Sequence, residues 1–478
     1  MNAQNRRTSS TASISSSNLK SGDWYRFAVD TTGVHKLNKN FLNSLGINTS
    51  SINPKNIKIY GHGGKSLPLL NSDTVSNDLI ENTIQVVGEE DGVFNDNDYL
   101  LMYAIGPKKY NSDNNSHVNP YSDKSYYYVN ISLGNGARMS TAIEPTGNAD
   151  VIYNSFHNYK FVESDTYNIA KMGRRWFGHR FYVENVRAFS FDFPNLITSS
   201  PVAIKVYTAA ISESSSSMQL KVNSSLINDL TFPAIGSNVL ARNGLFNGFI
   251  TASSGTLNVE LSYDNNGNPS AMAYLDYISI EAECALTSLG TQFEFKHRET
   301  ATQSGIGQFE ISNAASIAQV WDISNPYQIQ FYANENADSQ FSFKTNLGSL
   351  KTYQAVGPDF YAPRKTATTK IPNQDIKGTV FLDAQGNFED IDYLIITPTF
   401  LRAQAERLAQ INRTQNNLNV KVYTLEALYQ EFSSGMQDIS GVRNFVKYVY
   451  DNASTPPNKL KYLCLFGDGS FDYKARVS

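Results

Sequence analysis

The side chains that could perform nucleophilic or metal chemistry are few and far apart. The chain has two cysteines, Cys284 and Cys464, and six histidines, at positions 35, 62, 117, 157, 179 and 297. No two of these histidines have the spacing of a metal pair on a helix, and we expect all six at the surface or in turns. Both cysteines fall in apolar strand patterns, which predicts free, unreactive thiols used for packing.

His62 lies in Tyr60-Gly-His-Gly-Gly64, which imitates a catalytic His-Gly pair. The surrounding pattern is that of short strands and turns, and no cysteine is near it in sequence. We interpret His62 as a turn residue.

One short loop concentrates hard oxygen ligands. Asp91, Asn95, Asp96 and Asp98 lie within eight positions, which fits the oxygen-rich coordination that calcium prefers. Val93 occupies a position where an EF-hand would have a ligand. The loop is therefore either a calcium site or a plain Asx-rich turn between strands.

Two further clusters stand out. Gly467, Asp468 and Asp472 follow the apolar run Tyr462 to Phe466, and in a parallel sheet the residues just after a strand lie at the edge where active sites form. We expect these residues to support an active-site edge. Arg174-Arg175-Trp176 predicts a stacked cation and aromatic cluster, either a packing corner between domains or a partner site.

Composition indicates several β-rich domains. The chain has 478 residues, with 12% aromatic, 41% hydrophobic and 18% charged residues, and a net charge of -4. This balance favours half-buried strands, and it excludes the broad cationic surface that nucleic-acid binding requires. Two distant cysteines do not make a disulfide framework.

The pattern along the chain divides it into five segments. We predict a flexible leader remnant at 1–22, an N-terminal β domain of antiparallel sheets at 23–150, a β-sandwich at 151–290 and a β-rich domain at 291–388. Residues 389–478 begin an α/β domain. The start, rich in Ser, Thr and Asn, is typical of the flexible segment after a cleaved leader, so we expect an exported protein that is either processed or mis-started.

The α/β prediction depends on the alternation of strands and helices. Buried strands are predicted at Asp392 to Thr397, Val420 to Tyr423 and Tyr462 to Phe466, with amphipathic helices between them. Such alternation gives a parallel sheet with helices on both faces. The apolar face of the third strand needs further neighbours, so we expect more protein after Ser478.

Several segments together resemble the gingipain family of cysteine peptidases. Those in the α/β segment are DYLIITP from Asp392, YQEFSSG from Tyr429 and LKYLCLFGDGSFDY from Leu460. Those upstream are GEEDGVFNDNDY from Gly88, GRRWFG from Gly173 and AYLDYISI from Ala273. The resemblance implies a caspase-like cysteine endopeptidase whose catalytic His and Cys lie at successive strand ends. Both are expected C-terminal to Ser478, so the chain as given is predicted to lack a catalytic residue and to be inactive.

Within the family, the likeness is closest to the sortases of the type IX secretion system of Bacteroidetes. It implies a protein exported to the outer membrane or cell surface. Its expected partners are secreted cargo with C-terminal sorting signals, a PorV-like secretion component and a lipopolysaccharide acceptor. No cofactor is expected to be required, although the loop at Asp91 could bind calcium. Two alternatives remain open, namely a non-catalytic surface module that binds polysaccharide or protein, and a secreted digestive protease.

Overall fold

The computed structural model describes residues 14–73 and 75–477. The first strands are β1 (Asp23–Val29), β2 (Gly33–Asn38), β3 (Ile57–Tyr60), β4 (Glu81–Asn82), β5 (Gln85–Val87), β6 (Tyr99–Ala104), β7 (Lys108–Asn111), β8 (Ser116–Val118), β9 (Ser125–Ile131), β10 (Ser140–Thr141), β11 (Val151–Tyr153), β12 (Ser155–Glu163), β13 (His179–Phe181), β14 (Val186–Asp192) and β15 (Val202–Ile211).

The remaining strands are β16 (Ser216–Val222), β17 (Ser225–Phe232), β18 (Arg242–Ile250), β19 (Thr256–Asp264), β20 (Met272–Ala285), β21 (Phe293–Lys296), β22 (Ile306–Ser312), β23 (Gln319–Asp322), β24 (Gln330–Ala333), β25 (Gln340–Asn346), β26 (Thr352–Val356), β27 (Arg364–Ile371), β28 (Tyr393–Thr397), β29 (Val420–Thr424) and β30 (Tyr462–Leu465). The α-helices are α1 (Lys39–Ser44), α2 (Ile376–Thr379), α3 (Arg402–Gln415), α4 (Leu425–Phe432) and α5 (Ile439–Asp451).

The N-terminal unit consists of two antiparallel sheets packed face to face. One has the strand order β27-β1-β9-β3-β4 and the other β2-β6-β5. Phe27, Leu37, Leu100 and Val129 belong to the apolar core of this unit and are fully buried. The last strand of the β region, β27, thus returns to pair with the first.

The middle of the chain forms the predicted β-sandwich. One sheet has the order β12-β20-β15-β18, with β13 also on β20, and the second has the order β14-β19-β16-β17. Burial alternates along β16, where Ser216, Met218, Leu220 and Val222 point inward. This period of two places every second side chain in the core and the others on the outer face.

A third β unit packs against the sandwich and shares its core. Its sheets have the orders β10-β24-β23-β26-β21 and β11-β22-β25. Phe309 and Tyr353 of this unit lie in the same buried cluster as Ile204 and Leu261 of the sandwich.

The predicted boundaries at 150, 290 and 388 do not follow these sheets. Strands β10 and β11, on either side of residue 150, pair with β24 and β22 of the third unit. The sandwich and the third unit share one core across residue 290, and β27 belongs to the N-terminal sheet. Strand pairing between segments far apart in sequence, which local patterns do not encode, sets these boundaries.

The C-terminal unit has the predicted α/β architecture. Its sheet has the order β29-β28-β30, and both pairings are parallel. Helix α3 packs Ala405 and Ala409 on one face, and α4 and α5 pack Leu428 and Phe445 in a separate cluster on the other. The fold is therefore mainly β, followed by a parallel α/β unit.

The predicted flexible leader remnant is wrong for its last residues. Residues 1–13 lie outside the described residues, but Asn18–Lys20 forms a 3-10 helix. Leu19 is fully buried in a cluster with Trp24, Tyr128 and Ile371. Burial of Leu19 and the hydrogen bonds of Ser17 to Asp375 and of Asn18 to Leu79 hold the segment against the fold.

Candidate functional site

The carboxyl edge of the parallel sheet is the candidate active-site edge. Strands β28, β29 and β30 all end there because they run parallel. The Thr397 hydroxyl donates to the Phe466 carbonyl oxygen at 2.9 Å, which ties the end of the central strand to the end of β30. Loop 467–472 leaves the sheet at this point, where ligand sites form in open α/β sheets.

The two aspartates of this loop differ in environment. Asp468 is exposed and accepts from the Gly469 N–H at 2.8 Å, whereas Asp472 is only 6% exposed. Burial alone would raise the pKa of Asp472, but backbone N–H groups, including those of Arg476 and Val477, lower it below its ordinary value. Asp472 therefore fixes the turn at 472–477, and a supporting role for Gly467, Asp468 and Asp472 stays a prediction.

The loop is docked on the β region through the Arg174-Arg175-Trp176 cluster. Trp176 is 2% exposed and stacks on Phe471, with ring centroids 6.0 Å apart. The Arg476 guanidinium lies 4.4 Å from the Trp176 ring and 3.1 Å from the Asp165 carboxylate. The cluster is thus a packing corner between units, the first of the two interpretations that the sequence allows.

A buried carboxylate lies behind this corner. Asp276, on β20, is 2% exposed, and its Oδ2 is 2.6 Å from Arg175 Nη2. Burial raises the pKa of Asp276 to about 8, which Arg175 opposes and Glu163 and Asp165 reinforce. Burial also raises the pKa of Asp165 to about 6, against the effect of Arg476. These carboxyls cluster because β12 and β20 are neighbours in the sandwich sheet.

The prediction that the histidines are surface or turn residues is wrong for His35, His117 and His297, which are 1%, 0% and 6% exposed. His117 lies between the N-terminal unit and the sandwich. Its Nδ1 is 2.6 Å from Glu163 Oε2 and its Nε2 is 2.5 Å from the Tyr159 hydroxyl. Because both ring nitrogens have partners from a distant strand, the imidazole is buried without an unsatisfied group. His157 and His179 are half-buried.

His62 lies between strands, as predicted, and is half-buried. Its Nε2 is 2.7 Å from the Asp78 carbonyl oxygen, and its backbone N–H donates to Ser434 Oγ of the C-terminal unit at 3.3 Å. It is therefore part of a contact between units.

The two thiols differ in burial. Cys284 is fully buried, and burial raises the pKa of its thiol to about 11, which agrees with an unreactive packing role. Cys464 is half-buried because β30 forms an edge of the described sheet. Both cysteines are free.

The candidate calcium loop has the geometry of an Asx-rich turn. Asp91 accepts from the Val93 N–H at 2.9 Å, Asp98 accepts from the Asn95 N–H at 2.6 Å, and Asp96 pairs with Lys39 at 2.8 Å. Within 14–73 and 75–477, no group of three or more His, Cys, Asp or Glu is placed to hold a metal ion. The calcium site stays a prediction, and these contacts favour the turn alternative.

Two buried acids of the C-terminal unit were missed from the sequence, and one of them, Asp438, joins that unit to the N-terminal unit. Glu431 accepts from the N–H groups of Ile376 and Lys377 at 3.1 and 2.8 Å, and Asp438 accepts from the Leu67 N–H at 2.7 Å. Asp438 also caps α5 by accepting from the Ser440 N–H at 2.8 Å. An aspartate just before an amphipathic helix is the signal that could have found it.

Comparison with known proteins defines the class of the C-terminal unit. Residues 387–477 match the model of Peptidase family C25. The match assigns the unit with the three-stranded parallel sheet to the C25 (gingipain) family of cysteine peptidases, within a mainly β, multidomain chain. The matched segment has no histidine, and its one cysteine, Cys464, lies within a strand.

The whole chain is similar to the dimeric latent PorU of Porphyromonas gingivalis. The TM-score is 0.78 with 23% sequence identity, over 96% of this chain and 43% of the PorU chain. This likeness shows the fold, and the chain spans less than half the length of that structure.

Other solved structures match only one part of the chain. A CBM36 carbohydrate-binding module in complex with calcium and xylotriose covers 26% of this chain and 98% of its own, with 16% identity and a TM-score of 0.18. A family 35 carbohydrate-binding module from Clostridium thermocellum covers 26% of this chain and 90% of its own, with 11% identity and a TM-score of 0.17. No curated protein matches the sequence. Within the described part of the chain, no helix has the length and apolar character needed to cross a membrane.

Proposed function

We propose that this chain is the front part of a cell-surface cysteine endopeptidase that acts as a type IX secretion sortase. The observation that carries the proposal is the PorU fold along 96% of the chain together with the C25 match at 387–477. Because the chain spans 43% of the PorU structure, the activity is a property proposed for the whole protein.

The proposed reaction is transfer of an acyl group from cargo to an amine. A cysteine thiolate attacks the peptide carbonyl at the start of the sorting signal, the C–N bond breaks, and the histidine that took the thiol proton protonates the leaving amine. An amine of lipopolysaccharide then attacks the thioester. The new C–N bond forms, the C–S bond breaks and the amine proton returns to the cysteine through the histidine.

In this proposal the described residues position the reacting edge. The Asp472 turn and the Trp176 to Phe471 stack fix the loop after β30 against the β units. The His–Cys dyad is proposed to lie C-terminal to Ser478. The β units then present a surface to cargo and to a PorV-like outer-membrane component. This second partner is proposed only because the chain resembles the type IX sortases.

The test uses the whole protein encoded by the source gene, its dyad cysteine variant Cys→Ala, and the 478-residue chain. Each is incubated with a cargo protein that carries its C-terminal sorting signal, with and without a primary amine, and the products are identified by mass spectrometry. We expect cleavage and an amide-linked product for the whole protein only. The 478-residue chain is expected to be inactive.

The other outcomes distinguish the alternatives. If the whole protein cleaves cargo without ever yielding the amide product, and also digests unrelated unfolded proteins, it is a digestive protease. Cargo left intact by the whole protein, or cleaved equally by the Cys→Ala variant, would exclude the proposed sortase and leave a surface module without this catalysis.

A further inference from the structure

The outer face of one sandwich sheet forms the floor of an open groove of about 590 Å³. Side chains of four neighbouring strands lie in rows across this floor, as the strand register shows. One row contains Tyr159, Glu281 and Ala203, and the next contains Phe161, Ser279, Lys205 and Asn247. The inward residues of the same strands, such as Ile204 and Ile280, belong to the sandwich core, so the floor is rigid.

The walls of this groove come from the two other β units. The β7–β8 hairpin of the N-terminal unit supplies Lys108, Lys109 and Tyr110, and the segment at β21 supplies Lys296 and Arg298. We call the site the three-unit groove, because all three β units line it. Ligand sites occur preferentially at such junctions between units.

The charges of the three-unit groove do not balance. Glu281 is paired with Arg298, and Glu294 is paired with Lys109 at 3.3 Å and accepts from the Tyr103 hydroxyl at 3.0 Å. Among the residues that the structure describes, Lys108, Lys205 and Lys296 have no carboxylate within 4.0 Å, although all three line the groove. The groove therefore presents three uncompensated cations, which favour an anionic ligand.

Lys205, in the floor of the groove, is half-buried. Burial lowers the pKa of its ammonium group, Arg175 lowers it further, and Asp276 opposes them. Its Nζ donates to the Asn115 amide oxygen at 2.9 Å and lies 5.4 Å from the centre of the Tyr277 ring. A bound anion would give this ammonium group a negatively charged partner, which no carboxylate of the described residues provides within 4.0 Å.

Aromatic rings lie beside these cations and are held in place. Tyr159 is 36% exposed, and its hydroxyl is bonded to the buried His117. His117 also stacks on Phe161, with ring centroids 4.2 Å apart. Rings fixed in this way offer flat apolar surfaces without an ordering cost on binding. Asn158, Asn247 and Ser279 add neutral hydrogen-bonding groups.

We propose that the three-unit groove binds an acidic oligosaccharide. Sugar rings present apolar C–H faces that stack on aromatic side chains and hydroxyl edges that bond to amides and hydroxyls, and acid groups satisfy the three lysines. An extended peptide would instead need an unpaired strand edge, and the central floor strands β15 and β20 are paired on both sides. The proposal concerns binding, and it does not depend on peptidase activity.

The test is calorimetric titration of the 478-residue chain with four probes of similar size. They are hexagalacturonate, a heparin hexasaccharide, neutral maltohexaose and a hexaglutamate peptide. We expect at least one acidic saccharide to bind about tenfold more tightly than the neutral one, and to weaken as salt shortens the screening length below about 10 Å. Absence of binding by both acidic saccharides would overturn the proposal, and so would hexaglutamate binding as tightly as they do.

Variants locate the binding. Lys108→Glu and Lys296→Glu are each expected to weaken it about fivefold. The matched control is Lys365→Glu, an exposed lysine on β27 outside the groove, which should leave the affinity unchanged. Circular dichroism confirms that each variant is folded. Equal weakening by the control would show that only net charge matters and would contradict a built site. Since no cleavage is measured, failure here and failure of the sortase proposal are separate results.

Discussion

Buried acids and histidines, rather than exposed ones, organise this molecule at the scale of single residues. Asp276 has an ordinary aspartate side chain, yet burial between the sandwich and the corner at Trp176 raises its pKa to about 8. The carboxyl of the unfolded chain titrates near 3.8. The folded protein therefore holds this proton more tightly than the unfolded chain does.

This difference predicts the direction of a pH dependence. The stabilising contribution of the Asp276 proton is complete below about pH 4 and is lost as the pH rises towards 8. We expect Asp276→Asn to make the fall in the free energy of unfolding between pH 5 and 8 shallower, by up to about 1.4 kcal/mol per pH unit. Urea denaturation of both proteins at several pH values measures how the free energy of unfolding depends on pH.

The control for this prediction is Asp229→Asn, at an exposed position on β17. It should leave the pH slope of the free energy of unfolding unchanged. The linkage argument fails if Asp276→Asn keeps the wild-type slope.

At the scale of elements, the segment before β1 is part of the fold. Leu19 is fully buried against Trp24, Leu79 and Ile371, and Ser17 accepts from the Leu19 N–H at 3.2 Å. Its 3-10 turn therefore closes one face of the N-terminal sheet. The polar composition around it conceals this role.

Replacing Leu19 by alanine tests that role. We expect Leu19→Ala to lower the free energy of unfolding by about 2–4 kcal/mol, because it leaves a cavity in a closed cluster. Leu133→Ala is the matched control, since Leu133 is 93% exposed, and its effect should stay within about 0.5 kcal/mol. Equal midpoints of chemical denaturation for the two variants would show that the segment is not a structural part of the sheet.

At the scale of the whole molecule, the α/β unit is joined to the β region by buried hydrogen bonds. The Asp438 carboxylate accepts from the Leu67 N–H in the N-terminal unit and from the Ser440 N–H in its own helix. Arg443 donates to the Pro68 carbonyl oxygen at 2.8 Å, and Lys377 pairs with Asp78 at 2.6 Å. One carboxylate thus satisfies donors in two units.

This arrangement predicts coupled loosening. We expect Asp438→Ala to cost about 2–4 kcal/mol and to speed amide hydrogen exchange both in α5 and around Leu67, because a buried N–H loses its acceptor in each unit. Asp468→Ala, at an exposed position of the edge loop, should change neither segment. If exchange becomes faster in α5 alone, Asp438 acts only as the N-cap of that helix, which would contradict its role between the units.

Local sequence patterns were enough to predict the strands, the helices and the class of the C-terminal unit. The alternation of apolar and polar residues along β16 is a local pattern that indicates a strand, and the short apolar runs of β28 and β30 are typical of buried parallel strands when helical patterns lie between them. The same patterns, read with the gingipain-like segments, predicted a parallel α/β unit that the structure and the C25 match confirm.

Which residues lie together in a site became clear from the folded chain alone. Pairing of β27 with β1, the His117 to Glu163 contact and the meeting of Trp176 with Phe471 join positions that are 46 or more residues apart. Burial of Asp276 and Leu19, and the collection of lysines in the three-unit groove, follow from those pairings. The physical reason is that burial and electrostatic environment depend on neighbours that the chain meets only after folding, and a linear pattern does not contain them.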